Sequence, residues 1–120
     1  MQTAANHTID GAPVEGVGFF DVVNPATASA FARAPDASRE QLDLAVAAAR
    51  RAFEHWRAVP AAGRSKILSG FAASIRAQTH ALAPVLTREQ GKPLAEARSE
   101  IAYAASFIDW AADEGKRLYG

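Results

Sequence analysis

The run TREQGKPLAEARSE, residues 87 to 100, places a lysine between a glycine and a proline, with carboxylates on either side. A lysine there could act as a base, a nucleophile or a phosphate clamp, provided it is desolvated or faces an anion. The phosphate-loop pattern needs further glycines before the Gly-Lys pair and a Ser or Thr after it. Here Pro93 follows Lys92, and the preceding residues read as helix. Conformation accounts for all three residues instead. Gly91 ends one helix in the left-handed conformation, Pro93 opens the next, and Lys92 before a proline is pushed out of the helical region. Lys92 reads as part of a hinge between two helices, not as a catalyst.

The remaining candidates for chemistry are scattered. His7, His55 and His80 have no second ligand at i, i+4, and His55 beside Trp56 reads as a helix-end side chain. Neither G-x-S-x-G nor G-x-G-x-x-G occurs. Glu96 and Glu100 lie among Lys92 and Arg98, as on a solvated charged face. Trp56, Phe71, Phe107 and Trp110 read as core or interface anchors rather than a base-stacking platform. The chain contains no cysteine, which excludes a thiolate nucleophile, a disulfide and a Cys-based zinc site within these residues.

These residues must be carried by a fold, and the composition supports one. Of the 120 residues, 49% are hydrophobic and 22% charged, as expected of one domain burying roughly two thirds of its unfolded surface. The 13 basic and 13 acidic residues cancel. Phosphate-driven nucleic-acid binding and a polybasic membrane patch therefore have no electrostatic basis. The start, MQTAANHTID, lacks the basic and apolar regions of a signal peptide, and no apolar run approaches the ~20 residues that span a bilayer. A soluble, cytoplasmic protein is expected.

The predicted fold class is α+β and helix-rich. Residues 1–35 read as short strands and turns, and residues 36–120 as about four helices, the last one long. His7-Thr8-Ile9 leads into Asp10-Gly11, suited to a type I′ turn. Phe19 to Val23 is a strand, Asn24-Pro25 a turn, and Phe31 to Ala34 the return strand. Ser38 and Gln41 fit a capping box before a helix that ends near Trp56. Leu42, Ala45, Val46, Ala49, Phe53 and Trp56 fall on one face of it, an apolar one. Pro60 opens a second helix with a stripe of Ile67, Leu68, Phe71 and Ile75. A third runs from His80 to Gln90, with Pro84 tolerable only in its first turn. The fourth runs from Pro93 to about Leu118, burying Leu94, Ala97, Ile101, Ala104, Ile108, Ala111 and Gly115.

The run TREQGKPLAEARSEIAYAASFIDWAADEGKRLYG resembles the N-terminal region of the NAD(P)-dependent aldehyde dehydrogenases, and within them the succinate-semialdehyde dehydrogenase branch. VVNPATASAFARAPDASREQLDLAVAAARRAFEHW is similar to the same family in order and spacing, and the likeness covers about residues 9 to 120. It implies that this single N-terminal segment belongs to a larger α/β fold whose Rossmann cofactor domain and catalytic domain are absent here. In such enzymes a thiolate attacks the aldehyde, hydride passes to NAD or NADP, and water hydrolyses the thioester to the acid. No residue of this chain is assigned to those steps, so none is catalytic or cofactor-binding, and the chain alone is expected to be inactive and cofactor-free.

The resemblance also implies a substrate-entrance face on the long helix, with Tyr103 facing the tunnel and Ser99 and Phe107 one turn to either side. It further implies a monovalent cation held by the Val23 carbonyl and the Glu89 carboxylate in the full-length enzyme. The expected partners are the remainder of the dehydrogenase and further copies in a homo-oligomer. A rival reading is an independent helical interaction module, using Ala104, Ala111, Ala112 and Gly115 against a partner helix. A fragment should self-associate loosely, whereas a module should form one defined oligomer.

Overall fold

The computed structural model describes residues 3–117 and shows two compact units that divide between Arg57 and Ala58. The first holds β1 (Thr3–Ala4), β2 (His7–Ile9), β3 (Ala12–Val14), β4 (Gly18–Asn24), β5 (Ser29–Asp36) and nearly all of α1 (Arg39–Ala58). The second holds α2 (Ala61–Ala77), α3 (Thr79–Gln90) and α4 (Leu94–Glu114).

In the first unit, β2 and β3 pair antiparallel with Ile9 opposite Ala12. That leaves Asp10 and Gly11 as a two-residue turn with φ of 54° and 76°, the left-handed pair a type I′ turn requires. Strands β4 and β5 form a second antiparallel pair, bulged between Val22 and Val23, and β1 adds parallel to β5. The Asn24 side chain closes the β4–β5 turn by accepting the Ala26 N–H at 3.0 Å. Both predicted strands are therefore present, β4 extending one residue and β5 two residues beyond the expected bounds at each end. Strand β1 is too short to show a period, and Pro13 masks β3, a position tolerated because both strands of that hairpin are edges.

The capping box forms as expected: Ser38 Oγ accepts the Gln41 N–H, and Gln41 Oε1 accepts the Ser38 N–H. Gln41 Nε2 also donates to the Glu15 carbonyl at 2.8 Å, and Arg51 pairs with Asp10 at 3.0 Å, tying α1 to the hairpin. The apolar face of α1 divides. Ala48 is the buried residue, and Ala45, Ala48, Ala49 and Ala52 line a groove with residues 8–11 of the hairpin. Leu42, Val46 and Phe53 face outward and are exposed. The hairpin turn lies over the side of the helix that carries no bulk.

In the second unit, α2 and α3 both pack on α4, and Gln78 alone separates α2 from α3. Pro60 and Pro93 stand immediately before their helices, each carbonyl accepting a first helical bond at 3.0 Å. Gly91 takes the left-handed conformation with φ of 79° and donates to the Thr87 carbonyl, as expected. Pro84 is not in the first turn of α3 but is its sixth residue. Its missing N–H leaves the His80 carbonyl without that helical partner. The helix persists because Ala83 and Leu86 on either side belong to the core with Ile75, Ala97 and Ile101. Helix α4 ends at Glu114 and not near Leu118, which lies outside the described residues.

The core is built of alanine. Ala72, Ala83, Ala97 and Ala105 are 0% exposed, and no large side chain among the described residues is fully buried. The buried face of α2 is Ser65 and Ala72, with Leu68 and Ile75 half-buried, while Ile67 and Phe71 of its predicted stripe are exposed. On α4 the stripe's Ala97 and Ile101 are buried as predicted, but Leu94, in the first turn, is exposed. The second half of the stripe is Ala105 and Ala112, displacing the expected Ala104 and Ala111 by one residue.

Candidate functional site

Lys92 lies in the three-residue link between α3 and α4, and its ammonium pairs with Glu100 on α4. The pair ties the link to the helix, a structural task. Among the described residues no three His, Cys, Asp or Glu side chains gather as a metal-binding group.

Aromatic side chains gather instead on the outer face of α4, away from its alanine stripe. Tyr103 and Phe107 meet edge to face, with ring centroids 4.6 Å apart and planes at 74°. Such pairs are held by the ring quadrupoles as well as by apolar contact. Trp110, one turn beyond Phe107, joins them with Ser106 to line an open groove. Tyr103 is 64% exposed and Trp110 65%, unusually high for rings of this size. Ser106 Oγ donates to the Tyr103 carbonyl at 2.6 Å, and Ser99 Oγ donates to the Ala95 carbonyl at 3.2 Å. Both hydroxyls are spent on their own helix, leaving a rigid apolar wall with the Tyr103 phenol as its polar tip.

Of the expected entrance residues, Tyr103 and Phe107 touch, while Ser99 lies one turn before them with its hydroxyl turned to the backbone. Trp110, expected as a core or interface anchor, belongs to this face, where the i, i+4, i+7 spacing of 103, 107 and 110 puts it. All four expected anchors are on the surface: Phe71 and Phe107 are more than half exposed, and Trp56 is less so. Val23 stands at the β4 bulge of the first unit, and Glu89 is exposed in the last turn of α3 in the second. Their expected cation rests on the resemblance alone.

A wall of this kind can orient an apolar chain and exclude water, but it holds no nucleophile. The family gives the wall a context. Residues 14–120 match the aldehyde dehydrogenase family, and the chain belongs to it. Its relatives include semialdehyde dehydrogenases. The chain is 46% identical over 100 residues to the succinate-semialdehyde dehydrogenase [NADP(+)] of Escherichia coli (strain K12), covering 83% of this chain and 21% of that protein. It is 48% identical over 100 residues to a glutarate-semialdehyde dehydrogenase of Pseudomonas putida, covering 82% and 21%. The crystal structure of succinate-semialdehyde dehydrogenase from Burkholderia pseudomallei superposes with a TM-score of 0.92 at 41% identity, over 97% of this chain and 24% of that one. The chain thus spans about a fifth of the length of the curated relatives it matches.

Proposed function

We propose that this chain is the N-terminal scaffold of an NAD(P)-dependent aldehyde dehydrogenase that oxidises a small semialdehyde, succinate semialdehyde foremost, to the acid. The observation that carries the reading is the outward aromatic wall of Tyr103, Phe107 and Trp110 in a chain of this family. The wall shapes the substrate entrance, with Ser99 at its near end, and its rings contact the aldehyde's carbon chain. The chain has no cysteine, so the attacking thiolate belongs to polypeptide outside these 120 residues. The chain alone turns over no aldehyde. Its partners are the rest of the enzyme and further copies in a homo-oligomer, in the cytoplasm. No helix among the described residues is long and apolar enough to cross a membrane.

The test is Tyr103→Ala in the full-length enzyme, assayed with succinate semialdehyde and with a longer aldehyde. The kcat/KM ratio between the two is expected to change by about tenfold, the scale on which one methylene contact discriminates. An unchanged ratio would remove Tyr103 from the entrance.

A further inference from the structure

The stripe that seats α4 in its bundle is degenerate. Alanine occupies both 104 and 105, and both 111 and 112. A stripe through Ala97, Ile101, Ala104, Ile108 and Ala111 is as apolar as the observed one through Ala105 and Ala112. The two directions differ by about 40° of rotation at 3.6 residues per turn, which would carry a surface ring through about 4 Å. Apolar burial therefore does little to choose between them. Directed contacts can choose, and α4 carries such contacts near both ends. Lys92 pairs with Glu100 near its start, and Arg76 of α2 pairs with Asp109 at 2.5 Å near its end. Asp109 lies between Phe107 and Trp110 in the chain.

We infer that the Arg76–Asp109 pair is a positioning device: it sets the rotation of α4 and so fixes where the aromatic wall stands. Both partners remain partly exposed, so the pair contributes little to global stability. It suffices because the alternatives are close in energy. The consequence for substrate selection rests on the proposed entrance; the rotation itself does not.

The test uses the full-length enzyme labelled with fluorotryptophan, the Trp110 resonance being assigned by its loss in Trp110→Phe. Arg76→Gln and Asp109→Asn are each expected to move or broaden that resonance with little change in melting temperature. Each should also shift the kcat/KM ratio between short and long aldehydes by about tenfold. The exchanged pair, Arg76→Asp with Asp109→Arg, is expected to bring both readouts back toward wild type, which mere loss of a surface charge would not do. A Trp110 resonance unmoved in both single variants overturns the inference. A moved resonance with an unchanged substrate ratio supports the positioning role and instead removes the wall from the entrance.

Discussion

Single residues carry the turns, caps and close approaches of this chain, and Gly16 is one of them. It lies between β3 and β4, where a Cβ would come within 2.7 Å of the Gly18 carbonyl oxygen and 2.8 Å of both the Asp36 oxygen and Pro35 Cβ. Two of these neighbours are backbone and cannot swing aside. Gly16→Ala is expected to destabilise the fold by about 1–3 kcal/mol, the usual range for overpacking, measured by urea unfolding. Acid sensitivity also has residue-level causes. The Glu40 carboxyl is held below the usual range by its own backbone N–H at the start of α1 and by the Ser38 hydroxyl. The Asp113 carboxyl is lowered by the hydrogen bond and charge of Lys116, with Arg117 adding its charge. A depressed carboxylate stabilises the folded state above its unfolded pKa, and that contribution is lost as pH falls through the folded value. Melting temperature is therefore expected to hold from neutrality to about pH 5 and to fall below about pH 4. Asp113→Asn should make that fall shallower; an unchanged acid limb would contradict the assignment.

At the scale of elements, what could be read from the sequence depended on whether a signal was local. The Asp10-Gly11 turn, the Ser38–Gln41 box and the Gly91 cap are each specified by neighbours in the chain, and each forms as expected. Helix faces are set by what packs on them, and there amphipathic pattern misleads. The bulky stripe of α1 faces outward while its alanines meet the hairpin, because its apolar residues are not all meant for one core. On α4 the adjacent alanines carry no information about which one is inside. The same blind spot hid Trp110 from the candidate wall, since its spacing was overshadowed by the alanine stripe. Ala105→Leu separates the two rotations. In the full-length enzyme it is expected to turn α4 toward the 104/111 side and move the Trp110 resonance, whereas Ala104→Leu, at an exposed position, should leave that resonance in place and stability within about 0.5 kcal/mol. A resonance that moves equally in both variants would mean the stripe is wrongly placed.

For the whole molecule, the distribution of bulk is the main fact. The fully buried positions are alanines, and burying an alanine removes little apolar area. Leu42, Val46 and Phe53 in the first unit, and Ile67, Phe71, Tyr103, Phe107 and Trp110 in the second, are each about half exposed or more. Exposed apolar side chains gathered on one helix face mark places where a protein meets a partner or a ligand. The curated relatives that the chain matches are about five times longer, and the proposed scaffold role predicts that further polypeptide packs on these faces. Sedimentation velocity on the purified 120-residue chain over a hundredfold range of concentration tests that claim most directly. Uncovered faces should produce open-ended association, with the average sedimentation coefficient rising throughout the range. A constant monomer value, or a single sharply defined oligomer, would show that the chain covers its own surface and is no scaffold for a larger enzyme.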